Sequence, residues 1–524
     1  MKKIIPLIAC VLLAAPLMAQ SIKHIPNTGK GTVVFKLAPS EYTDKVHAIW
    51  ASQIICQIIG VQFENNERSV KWVDTFPKKL AYAYVDDDWY YEMITIKAFE
   101  KYGMHMTVEQ LGEQWLKDSC GVWGSSKMAK WAMLKGIKAP MSGYPTHNRL
   151  YFTIGPQFSS DVYGALAPGM PNLAGKLARY YCHVNGYAEG VDAAVFVAGL
   201  ISTAFNETNR TLVVEKAASL IDKSSPYRQC VDMVLGLVKK GESAENIFEQ
   251  IEQRWRGEYP MPNNAVANGG IIATCLLKGD GDFLKTLNLA CTAGDNTDAD
   301  CNAASAGAAI AAMYGLKSIP QNLLDGLHNR IKGEFMGDTH PLPPVDQSIS
   351  VLAERTVKVG MGILKDNGVS IKDGVLQVPG NQPIITQPAE LFTVSGMLQN
   401  WDTSWQIVHS RKGTYVEDGA LITFPAIPAR GMYLYKNIAV GANDSLVLNV
   451  AAENKKYWEL RVLVDNDKVL TKLVTSNEEV GKWQTIAIDL SKYKGKNVML
   501  RLFQNVDLTD KLVGNAYWKK IALQ

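Results

Sequence analysis

Tyr84-Val85-Asp86-Asp87-Asp88-Trp89-Tyr90-Tyr91-Glu92 sets three consecutive aspartates among aromatic and branched residues. Packed carboxylates repel, and each disfavours ionisation of its neighbours. Such a cluster persists at low cost only in water or against a cation. Ala81 to Val85 before it, and Trp89, Tyr90, Tyr91 and Met93 after it, form a mostly apolar wall and argue against simple solvation. Hard cations such as Mg²⁺ are held through oxygens of this kind. Trp89 to Tyr102 has helical periodicity and a stop at Gly103. If Asp88 opens that helix, Asp88 and Glu92 lie one turn apart on a common face.

A partner stretch lies far downstream, Gly294-Asp295-Asn296-Thr297-Asp298-Ala299-Asp300-Cys301-Asn302. It leads into Cys301 to Ala312, a helix of alanine, glycine and serine with so little bulk that neighbours can approach it on most sides. Asp298 and Asn302 sit at i and i+4, so the loop and first turn can aim oxygens at one spot. Helix capping explains one aspartate per helix start, not three in a row. Asp86, Asp87, Asp88, Asp298 and Asp300 are therefore read as a metal-binding set. Asp280-Gly281-Asp282 and Asp465-Asn466-Asp467 suit turns without any ion.

Working outward, helical periodicity dominates from about Asp44 to Gly362. It includes Asp44 to Gly60, Leu173 to Tyr181, Gly190 to Ala204, Thr211 to Ile221 and Tyr227 to Lys239. Residues 373–388 are rich in glycine and proline and read as a linker. Residues 389–524 then give short turn-separated strands, among them Leu446 to Val450, Tyr457 to Val464, Trp483 to Leu490, Val498 to Phe503 and Ala516 to Leu523. The expected fold is multidomain: an all-α domain followed by an all-β sandwich. A chain of 524 residues exceeds the usual size of one hydrophobic core, which agrees with two domains.

A net charge of +3 without a basic run excludes electrostatic capture of nucleic acid. Met1-Lys2-Lys3, the apolar Ile4 to Met18 and the small residue Ala19 read as a signal peptide over residues 1–19, so an exported protein is expected. Leu7-Ile8-Ala9-Cys10 resembles a lipobox but lies early, and a lipoprotein is ranked below plain export. No later run is long enough to span a membrane. Cleavage leaves seven cysteines with irregular spacing, so no disulfide framework can be read and at least one thiol should be free.

Together these pieces resemble the ADP-ribosylglycohydrolase family over residues 36–364. Asp86-Asp87-Asp88-Trp89 is similar to that family's early Thr-Asp-Asp-Thr motif, and Asp298-Ala299-Asp300-Cys301-Asn302 to its late acidic motif before an alanine-rich helix. Gly60-Val61-Gln62-Phe63-Glu64 is similar to its early Gly-x-x-x-Glu. Ile154 to Phe158, Ala167 to Pro171, His183 and Val195 to Phe205 look like its sugar-pocket segment. The resemblance implies an all-helical fold around a pair of Mg²⁺ or Mn²⁺ ions held by Asp87, Asp88, Asp298 and Asp300. It implies Glu64 and Asp86 as catalytic groups and Gln157, Asp161, His183 and Asn302 as substrate contacts. The substrate would be a sugar-containing small molecule or glycan. Asp86, Trp89 and Cys301 replace the family's threonines, and a thiol is a poor ligand for a hard cation.

The sandwich resembles galactose-binding-like, jelly-roll domains, with Trp401, Trp405, Trp458, Trp483 and Trp518 as candidate sugar platforms. The implied activity is metal-dependent hydrolysis of an N- or O-glycosidic bond. The competing reading is a non-catalytic carbohydrate-binding protein on a degenerate scaffold.

Overall fold

The computed structural model describes residues 34–66, 68–293, 297–380, 382–390, 405–411, 416–417, 419–441, 444–476 and 482–524. The signal stretch, Cys10, Asp295 and Trp401 lie outside them. A helical body is followed by an antiparallel β-sandwich, as the periodicity predicts.

The helical body is built on the opening helix, Pro39–Gly60, and the alanine helix, Ala299–Tyr314, which pack along each other. Two glycines permit the approach. A Cβ on Gly60 would lie 2.7 Å from Cα of Asp300, and one on Gly307 would lie 2.7 Å from Sγ of Cys56. Every residue of the alanine helix except Tyr314 is buried, so this bulk-free segment is an interior strut. The aspartate helix, Asp87–Tyr102, ends at Gly103 with φ +83°, a conformation that favours glycine. It begins earlier than Trp89 because Asp86 serves as its cap.

The stretch read as a linker is not free. Val375–Pro379 is a strand between Val34–Leu37 and Ser370–Lys372, and it buries Leu376 and Val378 in the main core. Its glycines and prolines mask this short apolar alternation. Residues 383–390 then lie along the helices Pro171–Cys182 and Glu189–Ala204. Asn172 donates to the Pro383 carbonyl at 2.9 Å, and the Gln387 amide donates to the Leu220 carbonyl at 2.8 Å. Arg179 spans Asp192 at 2.6 Å and Glu390 at 3.1 Å. Burial alone would raise the Glu390 carboxyl, but His183 and Arg179 hold it at about 2. A depressed acid stabilises above its unfolded value, and that contribution disappears as pH falls from about 4 towards 2. Glu390→Ala is expected to lower stability by about 1–3 kcal/mol at neutral pH in urea unfolding, because it removes the carboxylate shared by His183 and Arg179, while Arg179 keeps Asp192.

In the sandwich, one sheet has the strand order Gln484–Asp489, Ser445–Ala452, Ala516–Leu523, Ala420–Thr423, Val416–Glu417. The other runs Asp467–Thr475, Tyr457–Val464, Asn497–Asn505, Met432–Ala439, Gln406–Val408. Trp405, Trp458 and Trp518 are buried between the sheets, the latter two with ring centroids 5.0 Å apart. They are core residues rather than sugar platforms, as their large apolar area favours. Trp483 is half-buried. All seven cysteines of the described residues are buried free thiols. No helix among the described residues is long and apolar enough to cross a membrane.

Candidate metal and catalytic site

The two acidic stretches meet where the opening, aspartate and alanine helices converge. Ala83 is held in register beside Ile331, its amide donating to the Arg330 carbonyl at 2.8 Å and its carbonyl accepting from Lys332 at 2.8 Å. The chain then enters the aspartate helix through Asp86, whose side chain accepts from the Asp88 amide at 3.4 Å. Asp87 and Asp88 fall in the first turn, where the helix dipole favours negative charge. Below them Tyr90 donates to the Asp118 carbonyl at 2.7 Å, and the Tyr91 hydroxyl accepts from the Val122 amide at 2.9 Å. The aromatic flank is thus a hydrogen-bonded wall, and Asp88 behind it is 1 % exposed.

Opposite, Asp298 caps the alanine helix by position only, because its side chain makes no capping bond. Its Oδ2 instead accepts from Asn263. Asn268 orders this turn through one oxygen, accepting from the Asp298 amide at 3.2 Å and from Asn302 Nδ2 at 2.7 Å. Asp300 packs against Gly60, which draws the end of the opening helix and Glu64 just beyond it to the same place. Gly60→Ala would push a methyl into that backbone. The expected cost is about 1–3 kcal/mol in urea unfolding, with a weakened response to added metal.

The electrostatics are those of an uncompensated anionic hole. Burial, then Asp86 and Asp88, push Asp87 well above the usual carboxylate range. Burial, then Asp86, do the same to Asp88, and burial with Asp298, Asp88 and Glu64 to Asp300. Glu64, half-buried, is raised to about 7 by burial and by Asp298 and Asp86. Asp86 is raised to about 6, chiefly by burial.

Both carboxylate oxygens of Asp88, and Oδ1 of Asp298, Asp300 and Asn302, are buried without a hydrogen-bond partner. Native proteins rarely leave such atoms unpaired. One ligand atom from each of Asp298, Asp300 and Cys301 lies within 4.8 Å of the other two. Orphaned hard oxygens in this number fit a divalent cation. Cys301 fits it poorly, since burial and the surrounding aspartates hold its thiol well up and neutral.

Behind Asp88 lies a second buried layer. Gln53 Nε2 donates to Glu92 Oε2 at 3.1 Å and to Asp161 Oδ2 at 3.0 Å. Ser305 donates to Asp161 at 3.1 Å, and the Val162 amide donates to Glu92 Oε1 at 3.0 Å. Asp161, raised to about 7 by burial, belongs to this layer and not to an open substrate surface. Gln157 is also fully buried, accepting from the Tyr227 hydroxyl at 3.3 Å. His183 is bound to Glu390 at 3.0 Å and leans on Tyr187, apart from the carboxylate set. Asn302 does join the set, through Asn268.

Asn263, Asn268 and Gln53 carry no local motif, and Tyr84, though it heads the acidic stretch, gives no sign of its role there. Ser305 alone has a signal, lying two turns after Asp298 on the same helix face. The Tyr84 hydroxyl donates to Gln57 at 2.9 Å, and burial with Asp86, Asp300 and Asp88 keeps it protonated.

A family model described as ADP-ribosylglycohydrolase matches residues 38–360. A solved structure described as "ADP-ribosylglycohydrolase-related protein complex" is similar at 16 % identity and TM-score 0.43, over 63 % of this chain and 99 % of that one. Another, described as "CBM4 structure and function", is similar at 13 % identity and TM-score 0.18, over 23 % of this chain and 85 % of that one. No curated protein matches the chain.

Proposed function

The chain belongs to the ADP-ribosylglycohydrolase family, and from that premise we propose that it is an exported, divalent-cation-dependent hydrolase of an N- or O-glycosidic bond. The bond would lie at the anomeric carbon of a ribose-like or other sugar. The observation that carries this reading is the set of buried, unpartnered oxygens on Asp88, Asp298 and Asp300, drawn from two stretches more than two hundred residues apart.

Asp87, Asp88, Asp298 and Asp300 would hold Mg²⁺ or Mn²⁺, with two ions proposed from the family. A cation held there would supply Lewis acidity, making water easier to deprotonate. The chain's own groups supply the rest. Glu64, raised to about 7 in the metal-free protein by burial and by Asp298 and Asp86, would be shifted back towards its ionised form by a cation beside it, and that form is suited to take a proton from the attacking water. Asp86, at about 6, lies in the same field and serves as its partner or as a sugar contact. Unneutralised carboxylates around the anomeric carbon would favour the positive charge that grows on it. The Gln53–Glu92–Asp161–Ser305 layer ties together the helices behind Asp88, Glu92 lying one turn along the same helix.

A panel of ADP-ribosyl and simpler glycoside substrates, assayed with Mg²⁺, with Mn²⁺ and with EDTA, tests the reading. At least one should be hydrolysed by the wild type and lost with EDTA. Asp300→Asn should lower its turnover by about a thousandfold or more. Hydrolysis that survives both Asp87→Asn and Asp300→Asn would sink the proposal.

A further inference from the structure

The sandwich bears an aromatic strip on the face turned away from its core. In the sheet that runs from Asp467–Thr475 to Gln406–Val408, Met432, Leu434, Leu460, Val462, Leu500 and Leu502 point inward. Their neighbours therefore point out. The registers Arg461↔Phe503, Phe503↔Tyr433 and Tyr433↔Val408 set one line of side chains straight across four strands. Arg501↔Tyr435 begins a second line beside it.

The Phe503 and Tyr433 rings are 4.8 Å apart and inclined by 32°; Tyr435 and His409 stand 6.1 and 6.2 Å from Tyr433. Phe503, Tyr433 and Tyr435 are half-buried, while His409 and Arg461 are exposed.

Cross-strand aromatic pairs stabilise sheets, and that alone accounts for one such contact. It does not account for the polar groups alongside. Arg461 Nε is held by Glu459 at 2.5 Å, and Asn505 Nδ2 reaches the same oxygen at 3.2 Å. Arg501 is anchored through Nη2 to the Asp465 carbonyl and to Asn466, which fixes the direction of its guanidinium on this face. The strip thus pairs oriented donors with ring faces whose negative quadrupole attracts C–H groups. Three strand spacings make it roughly 14 Å wide, enough for a chain of linked rings rather than one small ligand.

We propose that this face binds an oligosaccharide laid across the strands. Sugar C–H faces rest on Phe503 and Tyr433, and Arg461, Arg501 and Asn505 hydrogen-bond hydroxyl or carboxylate oxygens. The inference does not depend on the helical body being a hydrolase. Affinity electrophoresis of the full chain, in gels containing soluble xyloglucan or polygalacturonate, tests it and separates neutral from acidic sugars.

Retardation by at least one polysaccharide is expected, weakened about tenfold or more by Tyr433→Ala with Phe503→Ala. The exposed Arg461→Ala should also weaken it without touching the core, and most strongly for polygalacturonate. Asp300→Asn should leave it unchanged. No retardation of the wild type in either gel would overturn the proposal. So would retardation that survives all three face substitutions, or that disappears in Asp300→Asn instead.

Discussion

Asp88→Asn is expected to stabilise the metal-free protein and to abolish most of its response to Mg²⁺. Asp88 is 1 % exposed, and no nitrogen or oxygen donor reaches either of its carboxylate oxygens, the weakly donating Cys301 thiol alone lying against it. Without a cation, it must be either a buried unpaired charge or an acid protonated far above its usual range, and both states cost free energy. An asparagine is neutral, nearly the same shape, and offers amide hydrogens to the carboxylates around it. In EDTA at pH 8 the variant should be more stable than the wild type by about 1–3 kcal/mol in urea unfolding, the cost of a buried polar group left unpaired. With metal at a hundredfold over its Kd the wild type should gain about 2.7 kcal/mol by mass action, and the variant little. The order of stability then narrows or reverses. An ordinary buried, hydrogen-bonded aspartate would lose stability in both conditions.

The metal-free protein should also become less stable as pH rises through neutrality, opposite to the usual behaviour of surface acids paired with bases. Asp86, Glu64 and Asp161 are raised to about 6, 7 and 7 from ordinary values of 3.8, 4.5 and 3.8. Between the ordinary and the raised values the folded protein holds more protons than the unfolded chain. Stability is therefore fully present below about pH 4 and is lost as pH climbs to about 7. Asp161 alone accounts for a loss on the order of 4 kcal/mol across that window. Glu64 adds less because water reaches it. A bound cation competes with those protons, so its stabilisation should be small near pH 5 and grow towards pH 8. Denaturant curves at several pH values, with EDTA and with Mg²⁺, measure both slopes. A metal-free stability that rises from pH 5 to pH 8 would contradict the buried-acid account.

Much of this centre is legible in the chain because its signal is local. Three adjacent aspartates in an apolar setting have few cheap explanations, and the alanine-rich helix after Asp300 announces close packing. The strands Tyr457–Val464 and Ala516–Leu523 have the bounds their alternation predicts. What stays hidden depends on contacts distant in sequence. Gln53, Asn263 and Asn268 acquire their roles only when separate helices meet. Asp161 and Gln157 are expected as substrate contacts from the family resemblance, and the polar side chain itself carries no sign of being fully buried. His183 finds its carboxylate partner over two hundred residues away, at Glu390. The tryptophans of the sandwich are ambiguous in sequence, since most such rings are core and a few are platforms, and only the strand register decides which.

The central claim is that Asp87, Asp88, Asp298 and Asp300 together form a cation-binding centre, and calorimetric titration of the EDTA-treated protein with Mn²⁺ or Mg²⁺ at neutral pH tests it most directly. Saturable binding with release of protons is expected, weakened strongly in Asp300→Asn and in Asp88→Asn. Absence of binding at millimolar metal, or equal binding by wild type and both variants, would contradict it.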